Sequence, residues 1–92
     1  MILSFADKDT QAVFERRHTK RFHALHRKAL IKLLVIDAAD AVEALKAPPG
    51  NQLEALKGDR AGQYSIRINQ QWRICFRFDK GDAYDVEICD YH

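Results

Sequence analysis

The sequence predicts an α+β domain in which two to three helices pack on one face of a small, mainly antiparallel sheet. Three observations point there. From Phe22 to Ile36, apolar residues recur at steps of three and four, the spacing of one helix face. After "APPGN" the character changes, and the runs "QYSIRI", "WRICFRF" and "AYDVEICDY" alternate apolar with polar residues, as strands with one buried face do. The order of elements is strand, helices, then meander, which gathers the helices on one face and leaves the other free. Residues 1–92 contain no linker, internal repeat or low-complexity segment, so one domain is expected. A chain this short buries only about 60–65% of its unfolded surface, enough for one small core.

Each element has its own signal. "ILSF" reads as a short first strand, and "ADKDT" as a helix start in which Asp9 or Thr10 caps free N–H groups, with the helix running over 9–18. In the next helix Phe22, Leu25, Ala29, Leu33 and Ile36 form the apolar face, while Arg21, Lys28 and Lys32 lie toward another. A break is expected between His18 and Arg21. Asp40 is expected to cap a third short helix, "AVEALK", which the following prolines stop, because proline cannot continue a helix and disfavours helical geometry in the residue before it. "LEALKGDRAG" then gives a brief strand and a turn.

The strand pattern fixes a register. With Asn69, Gln70 and Gln71 as the loop, Ile68 meets Trp72, Ile66 meets Ile74 and Tyr64 meets Phe76, which buries one clean face; a slip of one residue would expose it. In the second hairpin, pairing Phe78 with Tyr84, Phe76 with Val86 and Ile74 with Ile88 fills the same face. On the opposite face Arg67 then faces Arg73, Ser65 faces Cys75, Arg77 faces Asp85, Cys75 faces Glu87 and Arg73 faces Cys89. The two cysteines have no metal-type spacing and sit in apolar runs, where a thiol behaves as a small buried hydrophobe; they are not opposite each other, so no disulfide is expected. Like charges directly opposite on a sheet cost a few tenths of a kcal/mol or more, so the Arg67/Arg73 pair needs a counterion. A loop carboxylate or the phosphate of a ligand would serve, and guanidinium is the planar donor best suited to phosphate oxygens.

Net charge is +2, but it is unevenly spread: residues 16–32 hold seven Lys and Arg, three His and no acid, and the rest of the chain is net acidic. Such a block suits an anionic partner such as nucleic acid or an acidic protein segment; a solvated helix face has the same composition. No apolar stretch approaches the roughly 20 residues that cross a bilayer, and "MILSFADKD" lacks the basic and apolar regions of a signal peptide, so a cytoplasmic location is expected. His23 and His26 form an H-x-x-H without a third ligand, and "GDRAG" lacks the spacing and lysine of a phosphate-cradling loop; neither a metal nor a cofactor is expected. No serine or cysteine sits beside a credible base, which argues against covalent catalysis. The tail Asp90, Tyr91, His92 offers three groups able to carry or accept a proton, one of them titrating near neutrality. Because it continues a strand, it is expected to be held down, with Tyr91 on the helix-free face beside Arg73 and Arg67.

Taken together, "PPGNQLEALKGDRAGQYSIRINQQWRICF", "GDAYDVEICDYH" and "MILSFADKDT" resemble the HigB-type toxins of the RelE/ParE superfamily, the toxins of bacterial type II toxin-antitoxin systems. The resemblance covers essentially the whole chain and implies a RelE-like fold and ribosome-dependent cleavage of mRNA in the A site, which halts translation. It also implies a helix-turn-helix antitoxin of the HigA type as partner, with operator DNA reached only through that antitoxin. Family residues implicated in cleavage match Lys57, Arg73, Asp90, Tyr91 and His92. Some members carry a histidine where this chain has Glu54, so either Glu54 replaces it or the terminal group does more.

In that frame Arg73, Arg67 and Lys57 are candidates to stabilise the phosphate, Asp90 or His92 to move a proton, and Tyr91 to position or stack on a base. Glu54 and Arg67 are assigned to substrate binding. Arg17, Arg21 and Lys28 are assigned to ribosomal RNA phosphates. Two other readings compete: a ParE-like toxin directed at gyrase, which needs no catalytic residues, and a non-catalytic RNA- or protein-binding module.

Overall fold

The structure, a computed structural model, describes residues 1–90. The first helix, α1 (Lys8–Phe14), is capped by Asp7 rather than by Asp9 or Thr10: Asp7 is extended and accepts the Thr10 N–H at 2.6 Å. That placement frees Thr10 for another task. Its hydroxyl is fully buried, donates to Asp7 Oδ2 at 3.0 Å and accepts the N–H of Ile88 at 3.0 Å, tying the helix start to the last strand. The helix stops earlier than its composition suggests. Arg16 adopts a left-handed φ of 60°, and the N–H groups of Arg16 and Arg17 turn back to the carbonyls of Val13 and Ala12. This is the closure that glycine usually makes at a helix end, and an arginine at that position hides it from a sequence reading.

After a linking segment and a 3-10 turn (His23–Leu25), α2 (His26–Ala38) buries Ala29, Leu33 and Ile36, the expected face. The third helical piece is a 3-10 helix, Val42–Lys46, preceded by Ala41; Asp40 does not cap it, and Leu45 is the side chain it buries.

Four strands, β1 (Glu54–Ala55), β2 (Tyr64–Arg67), β3 (Trp72–Asp79) and β4 (Asp82–Asp90), form an antiparallel meander in chain order. The N-terminal "ILSF" lies along the outer side of β4 through isolated parallel bridges, Ile2 to Ala83 and Phe5 to Val86, and not as a regular strand. With Thr10 on Ile88, these bonds cover the edge of β4, which would otherwise present open backbone groups to other chains. The first hairpin has the expected register, including Ser65 opposite Cys75 and Arg67 opposite Arg73. Its turn is held by Asn69 Oδ1, which accepts the N–H groups of Gln71 and Trp72.

The second hairpin keeps the expected register only over its inner half, with Ile74 opposite Ile88 and Arg73 opposite Cys89. Toward the tip Phe78 faces Ala83 instead of Tyr84, and Tyr84 faces Arg77. Two local events explain the shift. Lys80 and Gly81 both take positive φ, 51° and 83°, giving a two-residue turn of the mirror-image type that matches strand twist. The extra residue is then absorbed at Asp85, whose φ of 52° marks a bulge that increases local twist. The Arg77–Asp85 ion pair survives at 3.5 Å even though the two are not register partners.

The core lies between the helices and one sheet face: Val13, Phe22, Leu33, Ile36, Leu45, Ile66, Ile74, Phe76, Val86 and Ile88 have essentially no exposure. Phe22 meets Trp72 edge-on at 5.6 Å and so anchors the segment between the helices onto the end of the sheet. No helix among the described residues is long and apolar enough to cross a membrane.

Candidate functional site

Because side chains alternate along a strand, the register sorts the sheet's second face into two transverse rows. Glu54, Ser65, Cys75 and Glu87 form one, and Arg67, Arg73 and Cys89 the other. The cysteines therefore stand on the face turned from the helices, outside the main core cluster, with Cys75 buried as expected and Cys89 half-buried. Cys75 is only 2% exposed, because residues 56–63 fold back over this face. Arg60 fastens that cover: it donates to Gln63 Oε1 at 3.0 Å and to Glu87 Oε1 at 3.1 Å.

The two arginines that face each other across the hairpin turn to different acceptors. Arg67 Nε donates to the Asn69 carbonyl at 3.0 Å. Arg73 is 4% exposed, donates from Nε to Ser65 Oγ at 2.8 Å, and places Nη2 against the carbonyls of Ser65 and Gln52. The Gln52 carbonyl is offered by a left-handed residue, φ 45°, next to Asn51. Asn51 is fully buried, donates to the carbonyls of Leu45 and Ala47, and accepts from Lys32 Nζ. A chain of fixed polar contacts thus runs from α2 through Asn51 and its neighbour Gln52 to Arg73. Burying a charge this deeply is costly unless acceptors are built around it, and here they are.

Beside Arg73 lies a cleft of about 280 Å³ lined by Lys57, Asp59, Arg60, Cys75, Cys89 and Asp90, with Leu56 at its edge. Lys57 is exposed where the covering segment begins. Asp90 stands opposite Trp72 at the end of β4, and Gln71 Nε2 donates to its carboxylate at 3.1 Å. Cys89 Sγ donates to the Glu87 carbonyl at 3.6 Å. The neighbouring Cys89 side chain holds the Cys75 thiol below its usual range against the cost of burial, with help from the Arg60 and Arg73 guanidiniums, while Cys75 and burial together push Cys89 up. Burial works against the Arg60 charge, yet the Cys89 and Cys75 sulfurs and Glu87 outweigh it and raise that guanidinium above its ordinary value. Among the described residues, no group of three or more His, Cys, Asp or Glu is placed to hold a metal ion.

The structure brings Lys57 and Asp90 to one cleft and sets Arg73 in the sheet at its side. Glu54 is exposed on β1, across from Ser65, the residue that anchors Arg73. Tyr91 and His92 lie outside the described residues. Arg17, Arg21 and Lys28 belong to a separate region. Arg17 pairs with Glu15 at 2.8 Å, and Arg21 lies 3.9 Å from Asp9 and 4.7 Å over the Phe22 ring. Lys28 is exposed on α2. Arg16, Arg17, His18, Thr19, His23 and His26 line a second cleft here, of about 330 Å³. Two features of the site escape the sequence: the role of Arg60, which sits in what reads as a simple turn, and the enclosure of Cys75. Register alone puts the cysteines on the arginine face; what strand alternation does not reveal is the segment that folds over Cys75.

Comparison with known proteins identifies the family and the fold. Residues 3–92 match the family described as RelE-like toxin of type II toxin-antitoxin system HigB. The chain is 38% identical over 93 residues to Endoribonuclease HigB of Proteus vulgaris, covering 100% of both chains. It is also 38% identical over 90 residues to Toxin HigB-1 of Vibrio cholerae, covering 96% of this chain and 95% of that protein. Among solved structures, the YoeB-YefM complex from Staphylococcus aureus superposes with a TM-score of 0.62 at 23% identity, covering 100% of this chain and 95% of that one. A point mutant of YafQ from E. coli gives 0.60 at 13% identity, covering 98% and 91% respectively. These two support the fold.

Proposed function

Since the chain belongs to the HigB family of RelE-like toxins of type II toxin-antitoxin systems, we propose that it is an endoribonuclease that cuts mRNA on the ribosome and so stops translation. The observation that carries the reading is the meeting of Lys57 and Asp90, from distant parts of the chain, in one cleft beside the buried Arg73. The relative from Proteus vulgaris bears the name of an endoribonuclease, which supports it further.

In the proposed reaction the ribose 2′-oxygen attacks the adjacent phosphorus in line and the 5′-oxygen leaves, so the site accepts one proton, supplies another and stabilises added negative charge. Lys57, exposed at the cleft, is placed to reach non-bridging phosphate oxygens. Arg73 adds a fixed positive charge from within the sheet, where water screens it less. Asp90 takes or gives a proton together with His92, and Tyr91 stacks on a base; the roles of Tyr91 and His92 rest on the family resemblance. Glu54 and Arg67 flank the site and orient the strand. A cleft this small has little surface with which to align the attacking oxygen, and alignment is itself a large part of catalysis, so the ribosome supplies the geometry. Arg17, Arg21 and Lys28 contact ribosomal RNA. A helix-turn-helix antitoxin of the HigA type neutralises the toxin in the cytoplasm and alone carries the pair to operator DNA.

Primer extension on mRNA from cells expressing wild type, Lys57→Ala and a His92 deletion tests the reading. Ribosome-dependent cuts are expected in the first and lost in the other two, with 2′,3′-cyclic phosphate or 3′-phosphate ends. Translation that stops without cuts, or cuts that leave 3′-hydroxyl ends, would overturn it.

A further inference from the structure

We propose that Arg60 is a positioning residue: by bridging Gln63 to Glu87 it clamps the covering segment, residues 56–63, onto β4 and so fixes Lys57 relative to Asp90. The clamp is independent of what the protein does; its effect on cleavage rests on the function proposed above.

Lys57 does not stand on a strand. It belongs to a segment that leaves the sheet after β1 and returns to it at β2. The base of the segment is closed by the bond from the Leu56 N–H to the Gln63 carbonyl at 2.8 Å. Its interior is a 3-10 turn, Gly58–Arg60, in which the Arg60 N–H reaches the Lys57 carbonyl at 3.3 Å and the Ala61 N–H the Gly58 carbonyl at 3.0 Å. Gly58, directly after Lys57, has a φ of 64°, which lets the chain reverse there. All of these bonds join the segment to itself, so they fix its shape but not its seat on the sheet.

The seat comes from Arg60. Its Nη1 donates to Gln63 Oε1 at 3.0 Å and its Nη2 to Glu87 Oε1 at 3.1 Å, so the planar fork is oriented from within the segment and delivered to the strand that carries Asp90. Two observations show how closely the segment lies on the sheet. Cys75, the register partner of Glu87, is 2% exposed beneath it. At its far end the Gly62 backbone passes so near Arg77 that a Cβ there would come within 3.1 Å of Nη1.

The geometry links the two polar ends of the cleft. Lys57 precedes Arg60 in the turn and Glu87 precedes Asp90 on β4, and Lys57, Arg60 and Asp90 line the same cavity. The ion pair is part exposed, 41% at Arg60 and 33% at Glu87, so its contribution to folding is small. A small free energy suffices here, because it holds a position rather than a fold, and a misplacement of about 1 Å in a reacting arrangement costs on the order of 100-fold in rate.

The test compares Arg60→Ala, Glu87→Ala and the double variant in the full chain, each carrying Cys89→Ser so that Cys75 is the sole thiol. Two quantities are followed: alkylation of Cys75 by iodoacetamide, read by intact mass, and single-turnover cleavage on saturating mRNA-programmed ribosomes. Either substitution should speed alkylation and slow cleavage by on the order of 10-fold, the double variant should do no more than each alone, and the urea midpoint should barely move. Arg60→Lys, whose ammonium can still reach Glu87, should recover most of the protection. In a Lys57→Ala background Arg60→Ala should cost nothing further, because Arg60 acts through Lys57.

Alkylation at the parent rate in Arg60→Ala would mean that the segment is seated without this pair, and would overturn the proposal. Faster alkylation with unchanged cleavage would overturn it too, as would a loss that persists in full in the Lys57→Ala background, which would place Arg60 on the phosphate itself. Faster alkylation in a protein whose parent cuts no RNA would confirm the clamp while sinking the nuclease reading, since thiol reactivity does not depend on cleavage.

Discussion

Two cationic regions of this molecule are built on opposite principles. Arg73 is buried, and its guanidinium is fixed by Ser65 and by the Gln52 carbonyl, itself next to an amide locked under α2. The segment from Arg16 to His26 instead carries its charges on the surface, where Arg17 and Arg21 rest in ion pairs that water can enter. The first arrangement fixes a charge in place before any ligand arrives, at the cost of a framework that has to fold around it. The second attracts a polyanion from a distance and lets salt weaken the attraction. The activity proposed above, which must find a large anionic particle and then align one bond within it, needs both.

Arg73 gives the sharpest test of that contrast. Arg73→Ala leaves the Ser65 hydroxyl, the Ser65 carbonyl and the Gln52 carbonyl without this donor, so urea unfolding should show a loss of about 2–4 kcal/mol. Arg73→Lys separates charge from geometry, because an ammonium cannot span the same acceptors as a planar fork. Its cleavage should fall on the order of 100-fold even where the protein remains folded at the assay temperature. Full activity in Arg73→Lys would mean that charge alone suffices, and the proposed difference between the two regions would collapse.

Lys57 comes next. It is exposed, so Lys57→Ala should leave the unfolding midpoint unchanged while lowering the rate on the ribosome by on the order of 100-fold, the usual cost of removing one donor to a developing oxyanion. Loss of affinity with an unchanged single-turnover rate would move Lys57 into the same class as the surface cations.

Asn51 tests whether the framework matters at a distance. Its amide is bonded without exposure, and Asn51→Ala should cost about 2 kcal/mol, seen as a fall of roughly 8–16 °C in the melting midpoint of a domain this size. Below that midpoint, cleavage should fall further than the folded fraction does, because Gln52 loses its support and Arg73 its anchor. A rate that simply tracks the folded fraction would show that the chain of polar groups ends before the cleft.

How much of this is legible in the sequence differs between the regions for physical reasons. The row of Arg67 and Arg73 follows from strand alternation alone, since one face has to take Tyr64, Ile66, Ile68, Ile74 and Phe76. What satisfies Arg73 does not follow, because Ser65 is near in register but Gln52 arrives through an irregular loop whose path no periodicity encodes. Resemblance supplies Lys57 and the tail; only folding shows that Lys57 and Asp90 share a cleft with two thiols. The shifted register of Tyr84 has a related cause: a bulge at Asp85 inserts a residue without changing the alternating pattern enough to be read. The basic block is visible as composition, but its Arg17 and Arg21 ion pairs with Glu15 and Asp9 are not.

Those ion pairs lead to the smallest expected effects. Exposed pairs contribute about 0.2–1 kcal/mol, so replacing Arg17, Arg21 and Lys28 by Gln should barely alter unfolding. Ribosome binding should respond through salt: for every phosphate that a substitution leaves unneutralised, the slope of log affinity against log salt falls by about 0.7–0.9. The three should not contribute equally. The Arg17 guanidinium and, behind it, Gln11 hold the Glu15 carboxyl below its usual range, which means Arg17 must give up that partner to reach a phosphate. The sign is then fixed: a carboxylate whose folded value is depressed keeps its share of the pair at neutral pH and loses it only as pH falls through that depressed value. At neutral pH Lys28→Gln should accordingly weaken binding more than Arg17→Gln, and Glu15→Gln, by releasing Arg17, should strengthen binding at low salt. Were Glu15→Gln to leave the salt dependence and the affinity untouched, Arg17 would not be among the residues that meet the ribosome.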